Sequence, residues 1–159
     1  MACIFRFNSK YHDAIGGKTL NFQIKNIVLY SHKGDRRILP LHPGKLNIIT
    51  GDSKTGKTAI IDIINYCLSN DECNIPAGVI RQYVSWFGVT IIINEGEIFV
   101  ARRCPEQGKD TSSEVYYDIK KEISIPIFSE LRQIINADTL VELLTKYVGI
   151  KENVHEPEP

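Results

Sequence analysis

The chain has 159 residues, in which 19 Lys and Arg balance 19 Asp and Glu, and 43% of its residues are hydrophobic. That composition excludes wholesale disorder, and a zero net charge excludes the broadly basic surface of a protein that coats nucleic acid by itself. The apolar runs around 59–64 and 89–93 break off far short of the roughly 20 residues of a membrane span, and residues 1–7 lack the roughly 7–15 apolar residues of a secretory leader. A cytoplasmic chain is expected, forming one domain or one piece of a larger one.

Residues 1–20 mix polar and apolar types around Gly16-Gly17 and are read as an irregular leader or a weak edge strand. From residue 22 to 30 the β-branched and aromatic content rises, the polar turn 33–37 follows, and a hairpin is expected between strands 22–30 and 37–41. After the turn at Pro43-Gly44, residues 46–50 form a short buried-strand pattern that runs into Gly51. The apolar positions of 57–68 recur at three- and four-residue intervals and predict a largely buried helix. Residues 73–81, with Pro76 and Gly78, read as a loop. Strands 84–93 and 97–103 follow as a second hairpin across Asn94-Glu95-Gly96, then a β segment at 114–119. Ser129 is placed to cap a helix running to about Asn136, and Asp138 a second running to Val148 with Gly149 at its end. Residues 151–159 show no apolar periodicity and read as a flexible tail or truncation point.

Cys3, Cys67, Cys73 and Cys104 are scattered with no C-x-x-C pair, so buried or idle thiols are expected rather than a metal site. His12, His32, His42 and His155 form no helical ligand pair either.

Residues 51–58, Gly51-Asp52-Ser53-Lys54-Thr55-Gly56-Lys57-Thr58, match G-x-x-x-x-G-K-[ST], the Walker A pattern. Each fixed residue type has a physical task. The glycines let successive backbone N–H groups turn inward around phosphate oxygens. Lys57 carries a point charge to the terminal phosphates, Thr58 offers a hydroxyl to Mg²⁺, and the positive end of the following helix acts on the same anion. Chance alone would produce the pattern in about one chain in 200 of this length, but a strand before it and a helix after it are the context of a true phosphate loop. Bound Mg²⁺-ATP is therefore expected, with Gly51, Asp52, Ser53, Lys54, Thr55, Gly56, Lys57 and Thr58 as its cradle and Thr58 as the metal contact.

About fifty residues precede the loop, and a hairpin lead-in is an ABC-type feature. The stretch Ile24-Lys25-Asn26-Ile27-Val28-Leu29-Tyr30-Ser31-His32, with Leu46-Asn47-Ile48-Ile49-Thr50-Gly51, resembles the heads of SMC-like ATPases of chromosome maintenance and recombinational repair. More narrowly, residues 48–68, 73–81 and 84–87 resemble an uncharacterised prokaryotic SMC-like family linked to anti-phage defence. The resemblance implies an α/β P-loop NTPase: the N-terminal lobe of an ABC-type head spanning 21–150, with a mixed sheet, an antiparallel β-subdomain and trailing helices. It also implies ATP held between two heads, a coiled coil inserted between the halves of each head, action on DNA, and His32 against the base or ribose.

The chain departs from that pattern. Ser53 and Lys54 stand where Asn and Gly are usual, Tyr30 stands where Arg is usual, and no Leu-Ser-Gly-Gly signature, Asp-Glu strand end or heptad repeat follows. Gln133, placed in a predicted helix, is rejected as the Q-loop glutamine. A half-head that binds ATP but barely hydrolyses it is the expectation, since transfer to water also needs a positioned metal and nucleophile. The alternatives are a small phosphate-loop kinase acting on a metabolite, whose lid would need Arg132 or Lys146, and a non-catalytic nucleotide-sensing module. Arg81 could reach DNA or a partner head but is read first as a solvated loop arginine. Trp86 and Phe87 are read as core, and Arg102 and Arg103 as a solvated strand edge.

Overall fold

In chain order the elements are β1 (Cys3–Phe5), β2 (Ser9–Tyr11), β3 (Leu20–Ser31), β4 (Arg36–Pro40), β5 (Asn47–Ile49), α1 (Ala59–Cys67), α2 (Val79–Tyr83), β6 (Val84–Ile93), β7 (Gly96–Arg103), β8 (Val115–Lys120), a 3-10 turn (Phe128–Glu130) and α3 (Ala137–Val148). The computed structural model describes residues 3–5, 9–11, 20–50, 52, 56–68 and 71–148. One sheet runs β2-β3-β6-β7-β8, with β4 also paired to β3; β1 and β5 form a separate ribbon. Every pairing among the described strands is antiparallel, where a mixed sheet was expected.

The period-two alternation of β6 and β7 sends apolar side chains to both faces. On one face Phe87, Val89, Ile91, Ile98 and Val100 pack with Ile63, Ile64 and Cys67 of α1 and with Leu140 and Leu144 of α3. On the other, Val28, Tyr30, Trp86, Phe99 and Ala101 are covered by Ile123, with Ile125, Phe128 and Leu131 beside it. Trp86 and Phe87 are thus both core, one on each face, in agreement with the sequence.

The cover on the second face is a strap, residues 121–131, and polar bonds fix it in place. The Tyr30 hydroxyl donates to the Pro126 carbonyl at 2.8 Å, and Arg36 Nη1 donates to the Ile125 and Pro126 carbonyls at 2.6 and 3.0 Å. The Ile123 N–H donates to Glu97 Oε2 at 2.9 Å, while Lys25 Nζ lies 2.6 Å from Glu97 Oε1. Burial pushes the Tyr30 hydroxyl well above the usual tyrosine range, which keeps it a donor.

The strap accounts for the largest departure from the sequence reading. No helix forms over 129–136: the 3-10 turn ends at Glu130, and Ile134 and Ile135 donate their N–H groups to the Val115 carbonyl at 2.8 and 3.2 Å. An isolated helix of about eight residues is marginal in water, so pairing with the β8 edge prevails. Gln133 consequently lies outside any helix. The α3 cap is Asn136, whose Oδ1 accepts from the Thr139 N–H at 2.9 Å, rather than Asp138. The segment read as a loop over 73–81 closes in α2. The strand read as buried at 46–50 is three residues long, with Leu46 and Ile48 56% and 55% exposed. Gly149 and the 151–159 tail lie outside the described residues.

Gly88 is the tightest point of the second face, because a Cβ there would stand 2.8 Å from Phe99 Cζ. Gly88→Ala should therefore lower stability by about 1–3 kcal/mol through overpacking, read as a lower urea midpoint with an unchanged m-value. A melt matching the parent chain would mean that Phe99 does not lie across this glycine.

Candidate functional site

Strand β5 leads into the Walker A pattern and α1 leaves it. Of that pattern the structure places Asp52, Gly56, Lys57 and Thr58; Gly51, Ser53, Lys54 and Thr55 lie outside the described residues. Gly56 has φ +81°, a left-handed backbone that side chains rarely adopt, and a Cβ there would meet Ile80 Cδ1 of α2 at an ordinary 3.5 Å. The dihedral, not the space, is what asks for glycine.

Lys57 folds back over the turn so that its Nζ donates to the Asp52 carbonyl. The helix then starts through tight bonds, with the N–H groups of Ala59, Ile60 and Ile61 donating to the carbonyls of Gly56, Lys57 and Thr58 at 3.1, 3.2 and 3.1 Å. Thr58 is exposed and its hydroxyl makes no capping bond to its own helix. A cation, a hydroxyl and a helix start therefore converge on one exposed turn, a combination suited to an anion. Asp62 stands against it as an acidic residue in the first turn of α1. The described residues of this turn suit an anion such as a phosphate: a phosphate oxygen is a stronger partner for the Lys57 ammonium than the neutral Asp52 carbonyl.

The far end of α1 is held rigidly. Arg102, read from the sequence as a solvated edge, is wholly buried; its Cζ lies 4.0 Å above the Tyr66 ring, and Nη1 donates to the Tyr66 carbonyl at 2.8 Å. Arg103 does remain half-exposed, 3.6 Å from Glu114. The correction follows from strand geometry: Arg102 shares its face with Ile98 and Val100, which is the helix-covered face. That alternation was the available signal. Cys67 donates to the Phe87 carbonyl at 3.3 Å, and Tyr66 stacks edge-on to Phe87 at 6.2 Å. Cys67, Cys73 and Cys104 are free and buried, and burial pushes all three thiols up, as expected of inert cysteines. Among the described residues no group of three or more His, Cys, Asp or Glu converges on a metal position.

His32 is exposed, and its N–H donates to the Tyr83 carbonyl at 3.2 Å. It lines a cleft of about 930 Å³ between α2 and the loop after β7, together with Gln82, Ser85, Arg103 and Lys109; none of the described Walker A residues lines that cleft. The structure therefore does not bring His32 and Lys57 to one wall. Arg81, another lining residue, is half-buried and donates through Nη2 to the Lys109 carbonyl at 2.7 Å, so it ties the loop from the surface. The cleft was not legible in the sequence, since its two walls are about 25 residues apart in the chain and nothing local marks their approach.

No protein-family model, curated protein or solved structure matches the chain. Among the described residues no helix is long and apolar enough to cross a membrane.

The buried groups under α1 set an alkaline limit. Burial raises the Cys67 thiol from 9.0 to about 12 and the Tyr66 hydroxyl from 10.0 to about 12. The native state thus holds these protons more tightly than the unfolded chain, so their contribution is whole below about pH 9 and is lost as pH rises towards 12. Urea midpoints should fall between about pH 8 and 11, and fall less in Cys67→Ala; a flat profile would contradict the burial of these groups.

Proposed function

We propose that the chain is the ATP-binding N-terminal half of an SMC-like ATPase that acts on DNA in genome maintenance or phage defence, incomplete for hydrolysis by itself. The observation that carries this reading is the succession of β5, the left-handed Gly56, Lys57 and α1 along a stretch whose sequence is a full Walker A pattern. Lys57 would hold the terminal phosphates by charge, the N–H groups of residues 56–58 would face them, since those of Ala59, Ile60 and Ile61 already donate within the helix start, and the Thr58 hydroxyl would hold Mg²⁺. When bound, the metal ion neutralises phosphate charge. Residues 51–58 supply grip without any identified group to orient a water, which is why turnover is assigned to residues outside this chain.

Two further features support a half-head. Strand β5 has β1 as its partner, and Leu46 and Ile48 stay more than half exposed next to the loop, an apolar face that a further segment would cover. By the resemblance of residues 24–32 and 46–51 to SMC-like heads, that cover would come from a C-terminal half joined through a coiled coil, with a second head completing the site.

Titration calorimetry with Mg²⁺-ATP and Mg²⁺-GTP tests the reading. ATP should bind without turnover, and Lys57→Ala should weaken binding at least about tenfold, since a hydrogen bond to a charged group contributes roughly 1.5–3 kcal/mol. Hydrolysis should appear when a half carrying the signature and Asp-Glu motifs is supplied. Rapid turnover by the chain alone, or phosphoryl transfer to a small acceptor, would replace this reading with the kinase one; binding without turnover in the full-length protein would favour a nucleotide sensor.

A further inference from the structure

Arg102 is a charge in a place where an apolar side chain of similar length would fill the space at less cost. Its two terminal nitrogens hold groups on two different elements. Nη1 holds the Tyr66 carbonyl in the last turn of α1, where a cation also opposes the negative end of the helix dipole. Nη2 holds Thr111 Oγ1 at 3.2 Å and the Ser112 carbonyl at 3.0 Å. The Tyr66 hydroxyl closes the unit by donating to the Arg103 carbonyl at 2.9 Å and accepting from the Ser112 N–H at 3.1 Å.

Arg102 holds the loop 104–112 at its C-terminal end, Thr111 and Ser112, and residues 104–110 of that loop form one wall of the cleft. It is pinned again by Arg81 on the Lys109 carbonyl and by the Cys73 N–H on the Asp110 carbonyl at 2.8 Å. At its other end α1 begins at Thr58, and a nine-residue helix is a rod about 13 Å long. A planar guanidinium fork can grip two elements at once in fixed geometry, which neither an ammonium nor an apolar chain can do.

We propose that Arg102 is a positioning residue that couples α1, and with it Lys57 and Thr58, to the 104–112 wall of the cleft, so that nucleotide bound at the Walker A residues tightens that wall. This rests on the nucleotide-binding reading above. It makes the cleft a face whose order reports nucleotide occupancy, and the coupling is reciprocal: whatever stiffens the wall raises nucleotide affinity by the same factor.

Hydrogen exchange and titration calorimetry on the whole chain, with and without Mg²⁺-ATP, test it in the parent, Arg102→Met and Arg102→Lys. In the parent, ATP should slow exchange across 104–112 by about fivefold or more and leave the 121–131 strap unchanged. Arg102→Met should bind ATP about tenfold more weakly and lose the loop response while still melting cooperatively, and Arg102→Lys should fall between. A purely structural arginine would lower the melting temperature but leave affinity and loop response intact at temperatures well below it. That result, or parent chain that binds ATP with no slowing at 104–112, overturns the coupling alone. Parent chain that binds no ATP overturns the nucleotide reading and the coupling with it. Should Arg102→Met fail to fold, the parent exchange pattern and Arg102→Lys still decide.

Discussion

Strands β6 and β7 are buried on both faces along nearly their whole length, and the rest of the molecule is arranged to meet that requirement. An antiparallel sheet more often leaves one face to water. Here the outward residues include Trp86, Phe99 and Ala101, and leaving them exposed would forfeit about 25 cal/mol for each Å² of apolar surface. Two helices cover one face and an irregular strap covers the other. The strap has no ladder of its own, so Tyr30, Arg36 and Glu97 satisfy the backbone groups it brings against the sheet.

Polar side chains in this interior hold segments together that the apolar contacts alone would leave adjustable. Glu97 joins β7 to the strap and, through Lys25, to β3. Arg102 does the equivalent on the opposite face, joining β7 to α1 and to the 111–112 segment. Alternate residues of one strand thus brace opposite layers. Each bond is directional, so it specifies where a segment sits, whereas hydrophobic burial is non-directional.

For the proposed nucleotide site the consequence is a graded rigidity. The last turn of α1 is locked against the sheet by Tyr66, Cys67 and Arg102, while its first turn emerges at an exposed bend that carries Lys57 and Thr58. A fixed rod that presents its positive end outward is a favourable support for a phosphate cradle, because the helix start needs no rearrangement on binding. Leu46 and Ile48 leave an apolar face beside that bend, and the half-head reading gives it a physical purpose.

Much of this was legible in the residues. The hairpins of β3–β4 and β6–β7 followed from β-branched runs broken by polar turns, the 57–68 helix from its three- and four-residue spacing, and the Walker A pattern from a motif whose every residue type has a local task. These are short-range properties, set by neighbours within a few positions. Other features depended on what lies across space. The 129–136 segment gave up a helix for the β8 edge, Arg102 entered the core because a helix happened to cover its face, and the 46–50 strand stayed exposed because few strands flank it. The cleft joined two loops that share no pattern. By itself the sequence determined the long strands, the 57–68 helix and the presence of a Walker A pattern. Only the tertiary structure decided what covers each face, since burial and bond partners are set by chain segments far apart in sequence that must compete for the same surface.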